Sequence, residues 1–166
     1  MSDKFLFVSP KLCIGCRTCE LACSFRHSKK QGEPGITRVH TYTYSDDLSL
    51  VTLCQQCDDA ACVKVCPTNA LYLNEKTGVV DYDAEKCVKC GMCSIACPFG
   101  NISYEPETKL VQKCDLCQGN PACAMFCPTK ALEYAATPSP PLSDEERKRV
   151  IPPLPWMIAE KISKKK

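Results

Sequence analysis

One pattern repeats four times along this chain: four cysteines that close on a C-x3-C step. The first set is Cys13, Cys16, Cys19 and Cys23, and the second is Cys54, Cys57, Cys62 and Cys66. The third is Cys87, Cys90, Cys93 and Cys97, the fourth Cys114, Cys117, Cys123 and Cys127, and none of the 16 cysteines is left over. Between the sets there is room only for short strands, turns and single helical turns, with few large apolar residues. Whatever the cysteines hold must therefore act as the core, as metals do in other small domains, and the metal-free chain is expected to be largely unfolded.

Cysteine at roughly one residue in ten fits either a disulfide scaffold or a metal protein, so the compartment decides. The apolar run at residues 5–8 is too short for a secretory h-region, and no twin-arginine pair precedes it. No stretch of about 18 apolar residues offers a membrane span. The expectation is a cytoplasmic protein without a membrane span. There thiols stay reduced, and a regular cysteine pattern reads as metal ligation.

The first and third sets have the spacing C-x2-C-x2-C-x3-C, the run of bacterial two-cluster ferredoxins. Three thiolates two residues apart can wrap three corners of a four-iron, four-sulfide cubane while backbone N–H groups turn toward its sulfurs. The fourth cysteine begins a helix pointing away and so serves the neighbouring cluster. The second and fourth sets lengthen only the gap before the third ligand and can keep that exchange. Zinc ribbons need paired C-x2-C knuckles across a longer spacer, which is not this pattern. With all four sites complete in cysteine, His27 and His40 are expected at the surface or in packing roles rather than as ligands. Arg17, Lys64, Lys86, Lys89 and Lys113 lie beside ligands, where a positive charge can raise a potential and simple solvation is the ordinary alternative.

Pro67, Pro98 and Pro128 directly follow the last cysteine of sets two, three and four, where a missing N–H turns the chain out of a short helix; set one has Ser24 there. Residues 70–73 and 79–81 around a turn at 74–78 read as a β-hairpin, as do 102–104 and 109–111 around 105–108. Residues 37–42 and 48–53 suggest a longer hairpin. From 135 to 166 the composition changes: six prolines among 32 residues and no cysteine. Ser143 with Glu146 resembles a capping box, so 144–150 can form a short helix between extended stretches. Trp156 on such an arm is an anchor for a partner's groove, against the plainer reading of a disordered tail.

The formal charge of +2 gives no basic excess. Sixteen thiolates and four oxidised cluster cores would bring the loaded protein to about −6, so nucleic acid is an unlikely partner.

The sequences spanning Cys13 to Cys23, Cys54 to Thr68 and Cys87 to Phe99 resemble the four-cluster electron-transfer subunits of molybdenum and tungsten oxidoreductases. The family serves formate dehydrogenases, dimethyl-sulfoxide-reductase-type enzymes, hydrogenases, carbon monoxide dehydrogenase and tungsten aldehyde-oxidoreductase-type enzymes, including benzoyl-CoA reductases. The likeness covers about residues 5 to 134. It implies an α+β fold of tandem ferredoxin-like modules with short hairpins and helices around four 4Fe-4S clusters, plus a Pro-rich C-terminal arm. It further implies ligand sets of Cys13, Cys16, Cys19 and Cys127; Cys54, Cys57, Cys62 and Cys97; Cys87, Cys90, Cys93 and Cys66; and Cys114, Cys117, Cys123 and Cys23. On that pattern residues 1–49 and 111–134 make an outer half, 50–110 an inserted inner half, and 135–166 a docking arm. Position 56 is Gln where relatives often have His.

The expected function is relay of single electrons between a catalytic oxidoreductase subunit, docked partly through the arm, and a second redox donor or acceptor protein. A tungsten partner of the aldehyde-oxidoreductase or benzoyl-CoA reductase type leads. Alternatives are a formate dehydrogenase, hydrogenase or CO dehydrogenase complex, or a free polyferredoxin carrier, which has no use for a docking arm. Catalysis by the chain alone is not expected, since no nucleophile, base constellation or open metal position stands out.

Overall fold

The computed structural model describes residues 4–45, 48–105 and 107–136. It is a small α+β structure in which eight short strands pair as four antiparallel ribbons. The strands are β1 (Phe5–Val8), β2 (Val39–Ser45), β3 (Leu48–Leu53), β4 (Leu71–Leu73), β5 (Val80–Tyr82), β6 (Ser103–Tyr104), β7 (Val111–Gln112) and β8 (Leu132–Ala135). Four α-helices lie between them: α1 (Thr18–Arg26), α2 (Ala61–Lys64), α3 (Met92–Ala96) and α4 (Ala122–Met125).

The three expected hairpins form, each with shifted ends. β4 and β5 pair Leu71 with Tyr82, and their turn is fixed by Asn74, whose carbonyl accepts the Gly78 N–H at 2.8 Å and whose side-chain oxygen accepts the Lys76 N–H at 3.0 Å. The expected strand at 109–111 begins instead at Val111, because Lys109 has φ 58°, a left-handed conformation that cannot continue a ladder. β3 spans the expected 48–53, while β2 starts two residues later than expected and runs on to Ser45, with a register irregularity between Thr43 and Ser45.

Helices were expected as single turns. That holds for α2, α3 and α4, at four or five residues, but α1 has nine. The difference follows from residue 24. In the other sets a proline follows the last cysteine and stops the helix; Ser24 keeps its N–H, and its hydroxyl donates to the Leu21 carbonyl at 2.8 Å.

The apolar interior divides in two, and cysteines are part of both. Cys19, Cys23, Val39, Val51, Leu53, Cys123 and Leu132 form one body, with Leu6 and Val8 against it. Ala60, Leu71, Val80, Cys93, Ile102 and Val111 form the other. Val51 and Leu53 thus pack in the first of these bodies and Val111 in the second. β1 pairs with β8, Phe5 opposite Ala135, which brings residues 5–8 against residues 132–135. The sequence reading of 5–8 saw only an apolar run. Ala135 therefore belongs to a strand rather than to the arm; residues 137–166, including the capping box, the helix at 144–150 and Trp156, lie outside the described residues. No helix among the described residues is long and apolar enough to cross a membrane.

Candidate cluster sites

Three groups of cysteines converge on a cavity each. Cys13, Cys16, Cys19 and Cys127 line one cavity, floored by Val51 and Leu132. Cys54, Cys57, Cys62 and Cys97 line a second with Ala60, Val80 and Ile102. Cys66, Cys87, Cys90 and Cys93 line a third with Leu71, Tyr82 and Tyr104. The four cysteines that line none of these three cavities are Cys23, Cys114, Cys117 and Cys123; Cys123 has Cys114, Cys23, Cys117 and also Cys19 as electrostatic neighbours, and Cys23 in turn has Cys117. Each of the three cavities takes three cysteines from one set and the last cysteine of another. All sixteen are free thiols.

The local backbone explains the convergence. In the first C-x2-C step of each set the residue before the second cysteine has positive φ: Gly15 at 67°, Gln56 at 49°, Lys89 at 61° and Leu116 at 52°. This left-handed turn folds the loop back so that successive sulfurs face one point. Only at position 15 is glycine sterically required, since a Cβ there would stand 2.7 Å from the Ser49 hydroxyl. After sets two, three and four the chain turns again. Asn69, Gly100 and Lys130, each with positive φ, donate their N–H to the carbonyls of Cys66, Cys97 and Cys127 at 3.2–3.3 Å.

Those turns aim backbone donors at sulfur. Cys66 Sγ accepts the Ala70 N–H at 3.2 Å, Cys127 Sγ that of Leu132 at 3.4 Å and Cys23 Sγ that of Arg38 at 3.2 Å. Side chains add more. The Thr41 hydroxyl lies 3.5 Å from Cys19 Sγ, the Tyr104 hydroxyl 3.6 Å from Cys93 Sγ, and His27 Nε2 3.8 Å from Cys117 Sγ. Hydrogen bonds to sulfur favour extra negative charge there and so raise a cluster's potential.

Burial sets the other term. It pushes the Cys114 thiol up to about 12, and it raises Cys123 as well, with Cys114, Cys23, Cys117 and Cys19 adding repulsion. Thiols so placed ionise when a metal takes up their charge. Cys66 goes the other way: burial opposes its ionisation, but amides from Leu71, Thr68 and Ala70 outweigh it. Cys16 and Cys90 are exposed, whereas Cys23, Cys117 and Cys123 are buried. Four soft sulfur donors per site and N–H groups aimed at sulfur are the donor chemistry of a thiolate-held iron–sulfur cubane.

Three supporting features escaped the sequence reading. His27, expected to be a bystander, stands against Cys117 and 3.6 Å from Asp115, whose other oxygen pairs with Arg38 Nη1 at 2.7 Å. His27, Asp115 and Cys117 could hold a metal by themselves, but Cys117 already shares its site with three other cysteines. Burial holds His27 below its usual range, with Arg38 adding to that. For Asp115 burial works upward but is outweighed by the Cys117 amide, Arg38 and His27, leaving its carboxyl below the usual range. Gln56 is also polar in earnest: its Nε2 donates to the Cys114 carbonyl at 2.8 Å, and its Oε1 accepts the Val80 N–H at 3.0 Å. Finally, of the cations beside ligands, Lys64 and Lys86 are exposed and paired with Asp59 and Asp83, whereas Lys113 is buried. A lysine next to a cysteine looks the same in sequence in all three places.

Comparison with known proteins gives matches to the 4Fe-4S dicluster domain over residues 46–137 and 12–71. The chain is 41% identical over 124 residues to the polyferredoxin-like subunit of aliphatic sulfonate oxidoreductase from Pyrococcus furiosus, covering 74% of this chain and 70% of that protein. It is 33% identical over 154 residues to the electron transport protein HydN of Escherichia coli, covering 78% of this chain and 86% of that one. A solved chain of the BamBC active-site complex of benzoyl-CoA reductase aligns with 80% of this chain and 78% of its own length at 24% identity and a TM-score of 0.45, too slight a likeness to speak for a shared partner.

Proposed function

We propose, given that this chain belongs to the 4Fe-4S dicluster family, that it is the electron-transfer subunit of an oxidoreductase complex and relays single electrons between a catalytic subunit and a second redox protein. The observation that supports this best is that three cavities are each lined by four cysteines, three from one set and the last from another, with the remaining four cysteines left for a fourth site. In this reading Cys13, Cys16, Cys19 and Cys127 hold one cluster, and Cys54, Cys57, Cys62 and Cys97 a second. Cys66, Cys87, Cys90 and Cys93 hold a third, and Cys23, Cys114, Cys117 and Cys123 a fourth. When bound, such clusters supply reversible one-electron storage.

The chain's own residues would do the rest. The crossing cysteines bind quartets one and four into an outer module, about residues 4–53 and 112–136, and quartets two and three into an inserted inner one. Exposed Cys16 and Cys90 put the first and third quartets within reach of partners, while burial around Cys23, Cys117 and Cys123 keeps water from the fourth. The order along the wire is then first, fourth, second, third. The junction lies where Cys54 is an electrostatic neighbour of Cys114. Helices α1 and α3, which carry third ligands, leave Leu21, Phe25, Met92 and Ile95 exposed, apolar surface of the kind a subunit interface covers.

We assign the catalytic role to a separate oxidoreductase subunit, docked in part through residues 137–166; on the sequence resemblance, the partner we name is a tungsten enzyme of the aldehyde-oxidoreductase type. The test is anaerobic purification of the tagged full-length chain from its own cell. We expect about sixteen irons per chain and a co-purifying tungsten or molybdenum subunit, whose recovery drops when 137–166 are deleted while iron content holds. Zinc in place of iron, or far fewer irons, would sink the reading; undiminished recovery after the deletion would remove the arm's role alone.

A further inference from the structure

Lys113 lies just before Cys114 and is only 5% exposed. Its ammonium donates to the Val80 carbonyl at 2.6 Å, the Cys114 carbonyl at 2.8 Å and Gln56 Oε1 at 3.2 Å. Three oxygen acceptors around one nitrogen call for three N–H bonds, which only the charged form has. None of the three carries a charge, and among the described residues no carboxylate lies within 4.0 Å of it. A buried cation without a counter-charge in contact is costly, and Asp81 and Asp115, which share a cavity wall with it, are turned to Asn74 and Arg38 instead.

Its place in the fold says what balances it. Val80 lines the cavity of Cys54, Cys57, Cys62 and Cys97, and Cys114 belongs to the quartet of Cys23, Cys117 and Cys123. Gln56, between two cysteines of the first of these quartets, bonds both the Val80 N–H and the Cys114 carbonyl. The ammonium is thus clamped between the walls of two sites on opposite sides of the module junction. Its charge acts on thiols of both, on Cys62 and on Cys114.

We propose that Lys113 is the shared counter-cation of the two interior clusters and raises the reduction potential of both. The proposal rests on the four-cluster reading above. When either site gains one electron from a neighbouring donor its negative charge grows, and the fixed ammonium stabilises the product more than the reactant. No proton moves, since the ammonium keeps its three N–H bonds in both states. Lys113 is a positioning residue here: it touches no reacting atom and acts through the field at the thiolates. Because one charge serves two sites, it also keeps the middle of the wire from becoming an uphill step for electrons entering from the exposed ends.

The test is a redox titration of the anaerobically purified full-length chain, followed by electron paramagnetic resonance, with iron counted in each sample. In Lys113→Gln, two of the four one-electron couples are expected to fall by at least tenfold in equilibrium constant, about 59 mV, while the other two stay. Lys113→Met keeps the apolar stem and removes the ammonium; the same two couples should fall. Lys113→Arg should restore them, and Lys86→Gln, at an exposed site, should move neither. If Lys113→Gln fails to load, Lys113→Met decides. Fully loaded variants whose interior couples ignore both substitutions would overturn this proposal alone, whereas wild-type protein without about sixteen irons would defeat the cluster reading and this proposal with it.

Discussion

A cysteine in this chain is defined less by its neighbours in sequence than by the cavity its sulfur faces. Cys97 stands four residues from Cys93 yet lines the cavity of Cys54, Cys57 and Cys62, while Cys66 faces the one lined by Cys87, Cys90 and Cys93. The geometric cause is the short helix that holds the third ligand of sets two and three and ends just before the next cysteine: it carries that cysteine out of its own loop and toward the adjoining one. The sequence suggested instead that this cysteine begins a helix. A paired substitution tests this. Cys97→Ala and Cys54→Ala should abolish the same paramagnetic signal and the same quarter of the iron, and Cys87→Ala a different one. If Cys97→Ala and Cys87→Ala removed the same signal, the crosswise grouping would be wrong.

At the scale of elements, the ribbons and helices are too short to be stable by themselves, and small changes at their ends decide their length. α1 outlasts the other helices because Ser24 can extend it where proline cannot. Ser24→Pro would remove an interior N–H bond and clash with the preceding turn, at a cost of about 3 kcal/mol. We expect it to cut the far-ultraviolet helical signal and lower the unfolding midpoint of the loaded protein. An unchanged midpoint would mean that the second half of α1 contributes nothing to stability. The β-ribbons depend on similar local chemistry: Asn74 sets the β4–β5 turn, and the left-handed Lys109 delays β7.

At the scale of the molecule, the two apolar bodies are small and each includes cysteine side chains, so their packing rests on groups whose natural state is metal-bound. Removing iron with a chelator under reducing conditions should collapse circular dichroism and near-ultraviolet absorption together, as in other metal-dependent small domains. Retention of native ellipticity would show a core independent of the clusters. The stripped chain should also be sensitive to alkali. Cys114 is raised from 9.0 to about 12 by burial, so its contribution to any folded metal-free form is present below pH 9 and is lost as pH rises toward 12. Stripping at pH 10 should thus leave less residual structure than stripping at pH 7.

The cysteine spacing by itself determined the donor type, the number of sites and the shortness of every helix but α1, because ligand spacing and proline placement are local constraints that a chain carries wherever it folds. The hairpins at 71–82 and 103–112 were legible for the same reason, through turn residues and alternating apolar positions. The pairing of β1 with β8 was not, since four apolar residues at one end say nothing about a strand some 120 residues away. Tertiary structure alone decided that Lys113 is buried while Lys64 and Lys86 face solvent, and that Gln56 and His27 stand against cysteines of distant sets. Burial and long-range field arise only when separate segments are brought together, and local spacing carries no record of them.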